Sequence, residues 1–325
     1  MTSAAVATPN TDARYEDEKA IDTSPSGSQA AKNSSFYGRR EVMTLEMQIY
    51  NELNEGLAHV HTVNKTDYYM SGKDHLNQKT INQYSLIKRL GEGEFGVVWL
   101  AHVNETHEDF ALKIFSKGKL QGRKDMYKDE NTGKLIKKNW LDECYKEIKI
   151  MEKLENENCV RLHEVIDMEG HDKLIMALDY CAKGEIMSWD EESRAFAPCF
   201  DDVDTFKEVE IQKMIRDCIV GLGYLHDHEI LHRDIKPGNV LLDGKGVANL
   251  GDFGSAEMFD PPGSDILRNN AGTYHFFAPE LCNSSIPEYS GKAADIWALG
   301  ITLYAMTFNS VPFDSETEMD LFKVI

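Results

Sequence analysis

The sequence predicts an α+β chain in two lobes, a small β-rich one followed by a mainly helical one. Two changes of period and one composition figure carry this reading. From Tyr84 apolar and polar residues alternate through "YSLIKRL", "VVWLAHV" and "FALKIF", with a charged turn "NETHED" between the last two, as in strands joined by short turns. From about residue 140 the period becomes helical, and Leu141, Tyr145, Ile148, Met151 and Leu154 recur at spacings of three and four. Strands return in "VRLHEVIDMEGHDKLIMALDY", and after Cys181 the chain reads as mostly helical, interrupted by 232–254. Hydrophobic residues make up 42% of 325, enough for a sizeable core in one bilobal domain or two domains.

Upstream of Tyr84 the texture differs. Residues 1–35 are rich in Ser, Thr, Ala and Asp and predict disorder, so that 1–80 reads as a largely disordered extension. Within it, Val42, Leu45, Met47, Ile49, Leu53 and Leu57 predict a helix over 40–57. The formal charge of −20 argues against a nucleic-acid partner, whose footprint would be basic. Six scattered cysteines form no C-x-x-C pair and predict reduced thiols. The N-terminus lacks a basic region followed by an apolar one, and position 2 is Thr, so neither secretion nor myristoylation is signalled. The longest apolar run, 296–308, is too short to span a bilayer. The expectation is a soluble, intracellular, cytoplasmic protein with no membrane partner.

Chemistry concentrates in two places. In "GEGEFGVV" the glycines Gly91, Gly93 and Gly96 lead into a strand instead of a helix, which argues against a dinucleotide fingerprint and for a flap whose backbone N–H groups lie over a triphosphate. Lys113 follows in "FALK"; a lysine on a half-exposed strand is ordinarily solvated, and the flap at this spacing reverses that reading. The second place is "HRDIKPGNVLLDGKGVANLGDFG", residues 232–254, where Asp234, Lys236, Asn239 and Asp252 stand among apolar runs. Asn239 and Asp252 offer the oxygen ligands that Mg²⁺ prefers. Asp234 can accept a proton from an attacking hydroxyl, and Lys236 can neutralise a phosphoryl group. A turn at "DGKG" (243–246) would fold Asp252 back beside Asn239.

"GEGEFGVV", "FALK", "HRDIKPGN", "DFG" and "APE" resemble the protein-kinase signature set in order and spacing, from Tyr84 to Ile325. Within that family, "DFGSAEMF", "GSDILRNNAGT", "YSGKAADIWALGITLYAM" and an insert after Lys113 are most similar to calcium/calmodulin-dependent protein kinase kinases. The resemblance implies a bilobal kinase fold, ATP and Mg²⁺. It implies Asp234 as catalytic base, Asn239 and Asp252 as metal ligands, and Lys113 on the α/β-phosphates paired with Glu147, with Glu143 one turn earlier as the competitor. It places Leu90, Val98, Ala111 and Leu241 about the adenine, with a hinge at Asp179–Cys181 behind which stands Leu178. Glu185 would reach the ribose or a basic substrate residue, Thr273 would support Asp234 and Lys236, and Gly251 would open space behind the nucleotide. Tyr274 stands where many relatives carry Pro, which implies a differently shaped substrate loop.

The implied activity is γ-phosphoryl transfer to Ser/Thr of a protein substrate, with another kinase's activation loop as a candidate. The alternative is a non-catalytic kinase-fold scaffold or an inactive truncated fragment. A small-molecule acceptor is disfavoured by Lys236, the Ser/Thr-kinase form of the loop. The chain ends at "EMDLFKVI" with no arginine after Arg268 to pair Glu280, so the helical lobe is expected to be incomplete and poorly soluble. The tail that binds calmodulin in the kinase kinases is absent too, which leaves calmodulin an open partner.

Other segments read as follows. "HVH" (59–61) and "HDH" (226–228) lack companion ligands and read as surface and helix-end histidines. The acidic stretch 185–210 reads as a solvated insertion. The basic stretch 117–138, eight basic residues against three acidic, is expected to dock substrate proteins. No Ser, Thr or Tyr lies between Ser264 and Thr273, so Arg233 lacks a phosphorylatable partner, and activity independent of loop phosphorylation is expected.

Overall fold

The computed structural model describes residues 62–93, 96–123, 125–128, 135–200 and 203–325. The helix expected at 40–57 and the "HVH" histidines lie outside the described residues.

The β-rich lobe is an eight-stranded sheet. Its strands are β1 (Asn64–Thr66), β2 (Ser71–Lys73), β3 (Lys79–Ile81), β4 (Tyr84–Glu92), β5 (Gly96–Val103), β6 (Glu108–Ser116), and then, past a short ribbon of β7 (Met126–Lys128) and β8 (Leu135–Lys137), β9 (Leu162–Asp167) and β10 (Lys173–Asp179). The order is β1-β9-β10-β6-β5-β4-β3-β2, antiparallel except where β1 runs parallel to β9. Leu112, Ile166, Ile175 and Ala177 fill the core on one face. Gly96 is required by packing: a Cβ there would stand 2.1 Å from the Ile114 carbonyl oxygen.

Residues 64–81 differ from the expected disordered extension. They carry few large apolar side chains, but long-range polar contacts hold them. Buried Glu164 accepts from Thr66, from Gln83 at 2.6 Å and from the Tyr84 hydroxyl at 2.6 Å. Asp74 closes the β2–β3 turn by accepting the N–H groups of Leu76 and Gln78 at 2.9 Å.

Helix α1 (Lys117–Gly122) leads into the ribbon, and α2 (Trp140–Met151) follows it, capped by Asn139 with Asp142 and Glu143 in its first turn. Of the expected α2 stripe, Leu141, Ile148, Met151 and Leu154 are buried. Tyr145 is half-buried, its hydroxyl donating to Asp167 at 2.8 Å. The helical lobe rests on α3 (Glu208–Asp227), α4 (Pro279–Cys282), α5 (Gly291–Phe308) and α6 (Glu318–Val324). Part of the acidic stretch is ordered by its apolar side chains. Met187–Asp190 pairs with Ala195–Pro198, with Met187 and Phe196 buried and Trp189 edge-on to Phe196 at 5.1 Å. Among the described residues no helix is long and apolar enough to cross a membrane.

Candidate active site

The first element is an ion pair joining sheet to helix. Lys113, on β6, places Nζ 2.7 Å from Glu147 Oε1 on α2 and 3.5 Å from Asp252 Oδ1. Glu147 is buried, whereas Glu143 lies 4.0 Å from Lys138. Burial works against the Lys113 charge, but Glu147 and Asp252 outweigh it and raise its pKa above the ordinary lysine value. Burial likewise opposes the charge on Asp252, and Lys113 foremost overcomes that and holds its carboxyl below the usual range.

The second element is a network around Asp234. Thr273 donates to Oδ1 at 2.8 Å, and Lys236 contacts Oδ2 at 2.8 Å and donates to the Thr273 hydroxyl at 2.9 Å. Asn239 donates its amide N–H groups to the Asp234 carbonyl at 2.7 Å and to Oδ2 at 3.0 Å. The three partners fix the carboxylate in one orientation. Gly272 lets the Thr273 loop approach: at φ 105°, a Cβ would stand 2.3 Å from the Arg233 carbonyl oxygen.

The hairpin expected at 243–246 brings the two ends of the segment together. Val240–Leu242 pairs antiparallel with Ala248–Leu250, and Asp243 closes the turn by accepting from Lys245 and Val247. The Gly251 N–H donates to the Asn239 carbonyl at 2.9 Å, which sets Asp252 beside Asn239. Asp252 sits at φ 58°, in the left-handed region, with its side chain 56% exposed. A Cβ on Gly251 would stand 3.2 Å from Val160 and 3.3 Å from Leu241, so both side chains pack close against the glycine.

The remaining expected residues are placed by the two sheets. Val98 pairs across the sheet with Gly91 and Lys113, and Ala111 with Leu178. Leu90 is exposed, and a Cβ on Gly91 or Gly93 would meet nothing within 4 Å. Leu241 pairs with Glu185, which extends to within reach of Gly238 in the catalytic loop; partial burial raises its pKa against the pull of Lys236. Cys181 is buried. The Asp179 carboxylate points back into the sheet, where it binds Arg161 Nε at 2.9 Å and His163 Nε2 at 2.7 Å.

Three further residues support these elements. Asp295, on α5, is 2% exposed and accepts the N–H groups of His232 at 3.0 Å and Arg233 at 2.8 Å. The only trace of it in the sequence is a lone acid inside the apolar run of α5. His226, in the last turn of α3 as expected, bonds Asp295 at 2.9 Å. His232 is fully buried; Nε2 donates to the Gly251 carbonyl at 3.0 Å and Nδ1 faces the Asp234 N–H at 3.4 Å, linking the catalytic loop to the strand before Asp252.

An ion pair joining sheet to helix, a carboxylate ringed by Lys, Thr and Asn, and a second acid beside the amide are the groups that phosphoryl transfer calls for. Comparison with known proteins agrees. The protein kinase domain family matches residues 84–325, and the chain belongs to that family. It is 36% identical over 249 residues to a probable serine/threonine-protein kinase of Dictyostelium discoideum, covering 76% of this chain and 32% of that protein. It is 34% identical to serine/threonine-protein kinase GRIK2 of Arabidopsis thaliana, covering 84% of this chain and 62% of that one. It is 37% identical to a calcium/calmodulin-dependent protein kinase kinase of Caenorhabditis elegans, covering 75% and 44%. The chain thus spans less than two thirds of the length of these relatives.

Proposed function

We propose that this chain transfers the γ-phosphoryl group of ATP to a Ser or Thr hydroxyl of a protein. The observation that carries this is the orientation of Asp234. Thr273 holds one of its oxygens and Lys236 and Asn239 the other, beside an intact Lys113–Glu147 pair. A non-catalytic scaffold would have no use for so complete a set.

The residues present fit a nucleotide with a divalent cation. Asn239 spends its amide nitrogen on Asp234, which leaves its amide oxygen as a ligand atom, and Asp252 is anionic and half exposed. Asn239 and Asp252 would hold Mg²⁺, which supplies charge neutralisation on the phosphates when bound. In this reading Lys113, fixed by Glu147, binds α/β-phosphate oxygens, and the Gly91–Gly96 flap lends N–H groups. Val98, Ala111 and Leu241 sandwich the adenine at the hinge Asp179–Cys181. Asp234 accepts the proton of the acceptor hydroxyl, and Lys236 neutralises the charge that develops on the transferred group.

The substrate class we favour is another kinase's activation loop, on the likeness to a calcium/calmodulin-dependent protein kinase kinase. The test is labelled ATP with a panel of activation-loop peptides and Asp234→Asn and Asp252→Asn variants. Asp234→Asn should abolish transfer and keep nucleotide binding, whereas Asp252→Asn should weaken both. Wild-type turnover in both variants would refute the assignment.

A further inference from the structure

We propose that Glu257 is a positioning residue, a built-in carboxylate that ties the catalytic loop to α2 where many kinases recruit a phosphate group. The inference deepens the kinase reading and rests on it. Arg233 is 8% exposed at its side chain, and a guanidinium so buried requires an anionic partner. One Nη binds Glu257 Oε2, and the other donates to the Asn269 carbonyl and to Asn269 Oδ1, both at 2.9 Å. The second oxygen of Glu257 lies 3.6 Å from Lys146 Nζ on α2. One carboxylate therefore serves two elements of the site.

Local pairing makes the arrangement durable. Glu257–Met258 pairs antiparallel with Ile230–Leu231, placing Glu257 opposite Leu231, two residues before Arg233. The Phe259 N–H donates to the Glu229 carbonyl at 2.8 Å, extending that pairing. Lys146 immediately precedes Glu147, the partner of Lys113. Contacts thus run from Arg233 through Glu257 and Lys146 to the helix position that holds the phosphate-binding lysine. Between Ser255 and Thr273 the one hydroxyl belongs to Ser264, and the Arg233 contacts go to Glu257 and Asn269. Phosphorylation orders such loops by supplying charge to an arginine. Here Glu257 supplies it.

The test is Glu257→Gln, which keeps the size of the side chain and drops its charge. Its kcat should fall about tenfold with KM for ATP within about twofold, the signature of a lost positioning contact. Adding Asn269→Asp puts a carboxylate at an atom that already touches Arg233, and the double variant should recover most of the lost rate. Phosphatase treatment should leave wild-type activity unchanged. Amide hydrogen exchange supplies a readout without catalysis: residues 255–273 and 140–151 should exchange faster in Glu257→Gln, and 255–273, which Asn269→Asp restores, should return toward wild type in the double variant. Wild-type kcat and exchange in Glu257→Gln, no rescue by Asn269→Asp, or activity lost to phosphatase would each overturn the proposal. A wild type with no transfer at all would sink the kinase reading alone, and the exchange data would still decide the role of Glu257.

Discussion

Asp295 accepts the backbone N–H of Arg233 at 2.8 Å, and Arg233 sits at φ 66°. A non-glycine residue in the left-handed region costs about 1–3 kcal/mol and persists only where its surroundings hold it. Asp295 does the holding, from a helix 62 residues away in sequence, together with its bonds to the His232 N–H and the His226 ring. Asp295→Ala would leave two backbone N–H groups without their acceptor, at about 1–3 kcal/mol each. The expected outcome is a loss of about 3–5 kcal/mol in unfolding free energy, read from denaturant melts, with Asp295→Asn losing less because one oxygen remains. An unchanged midpoint in the alanine variant would show that the loop holds its own conformation.

Thr273 reads out the orientation of Asp234 separately from fold stability. Its hydroxyl accepts from Lys236 and donates to Asp234, so its removal takes one hydrogen bond from each side chain without creating a large cavity. Thr273→Ala is expected to lower kcat by about 10–100-fold, less than the roughly 100–10,000-fold that an acid–base group itself contributes because Asp234 remains, and to leave nucleotide affinity near wild type. Thr273→Ser keeps the hydroxyl and should stay within about threefold of wild type. Equal losses in both variants would assign the effect to the methyl group.

Asp179 gives a pH-dependent contribution of definite sign. Burial would raise its pKa, but His163 and Arg161 reverse that and hold it at about 2, against an ordinary value of 3.8. A depressed carboxylate stabilises the fold above its unfolded pKa, and the contribution is lost as pH falls through the folded one. The shift corresponds to about 2 kcal/mol at neutral pH. The stability gap between wild type and Asp179→Asn should therefore close as pH falls from about pH 4 to about pH 2. A gap that did not change across that window would show that hydrogen bonding alone carries the effect.

The legible part of the site is the part built from near neighbours. Asn239 and Asp252 could be joined from the sequence because a turn at 243–246 determines their meeting within a single hairpin. Asp295 escaped because its role is tertiary: a lone acid in an apolar helix marks a buried polar contact without naming its partner. Strands β1–β3 escaped for a related reason. They are three residues long and mostly polar, so no alternation shows, and Glu164 and Asn82 supply much of what holds them. In the acidic stretch, Met187 and Trp189 alternate with polar neighbours, a strand signal hidden by the acids around it.

Trp140 decides what the basic segment 117–138 is for. Arg123 lies 4.5 Å and Lys138 Nζ 4.0 Å from its ring centroid, and its Nε1 donates to Asp125 at 2.8 Å. One indole thus gathers residues from both ends of the segment at the first residue of α2. Two cation–π contacts at about 0.5–1 kcal/mol each and one hydrogen bond at about 1 kcal/mol set the scale, about 2–3 kcal/mol in all. Glu147 lies seven residues further along α2 and is buried, with its own bond to Lys113, so it does not depend on the indole. Trp140→Ala should therefore release the segment while sparing the catalytic pair. Expressed as kcat/KM, phosphorylation of an acidic-surfaced protein substrate should fall about fivefold or more, in line with the lost contacts, while a short peptide from the same substrate is phosphorylated at the wild-type rate. Equal losses for protein and peptide would mean that Trp140 acts through α2 on the Lys113–Glu147 pair and that the segment does not dock substrates.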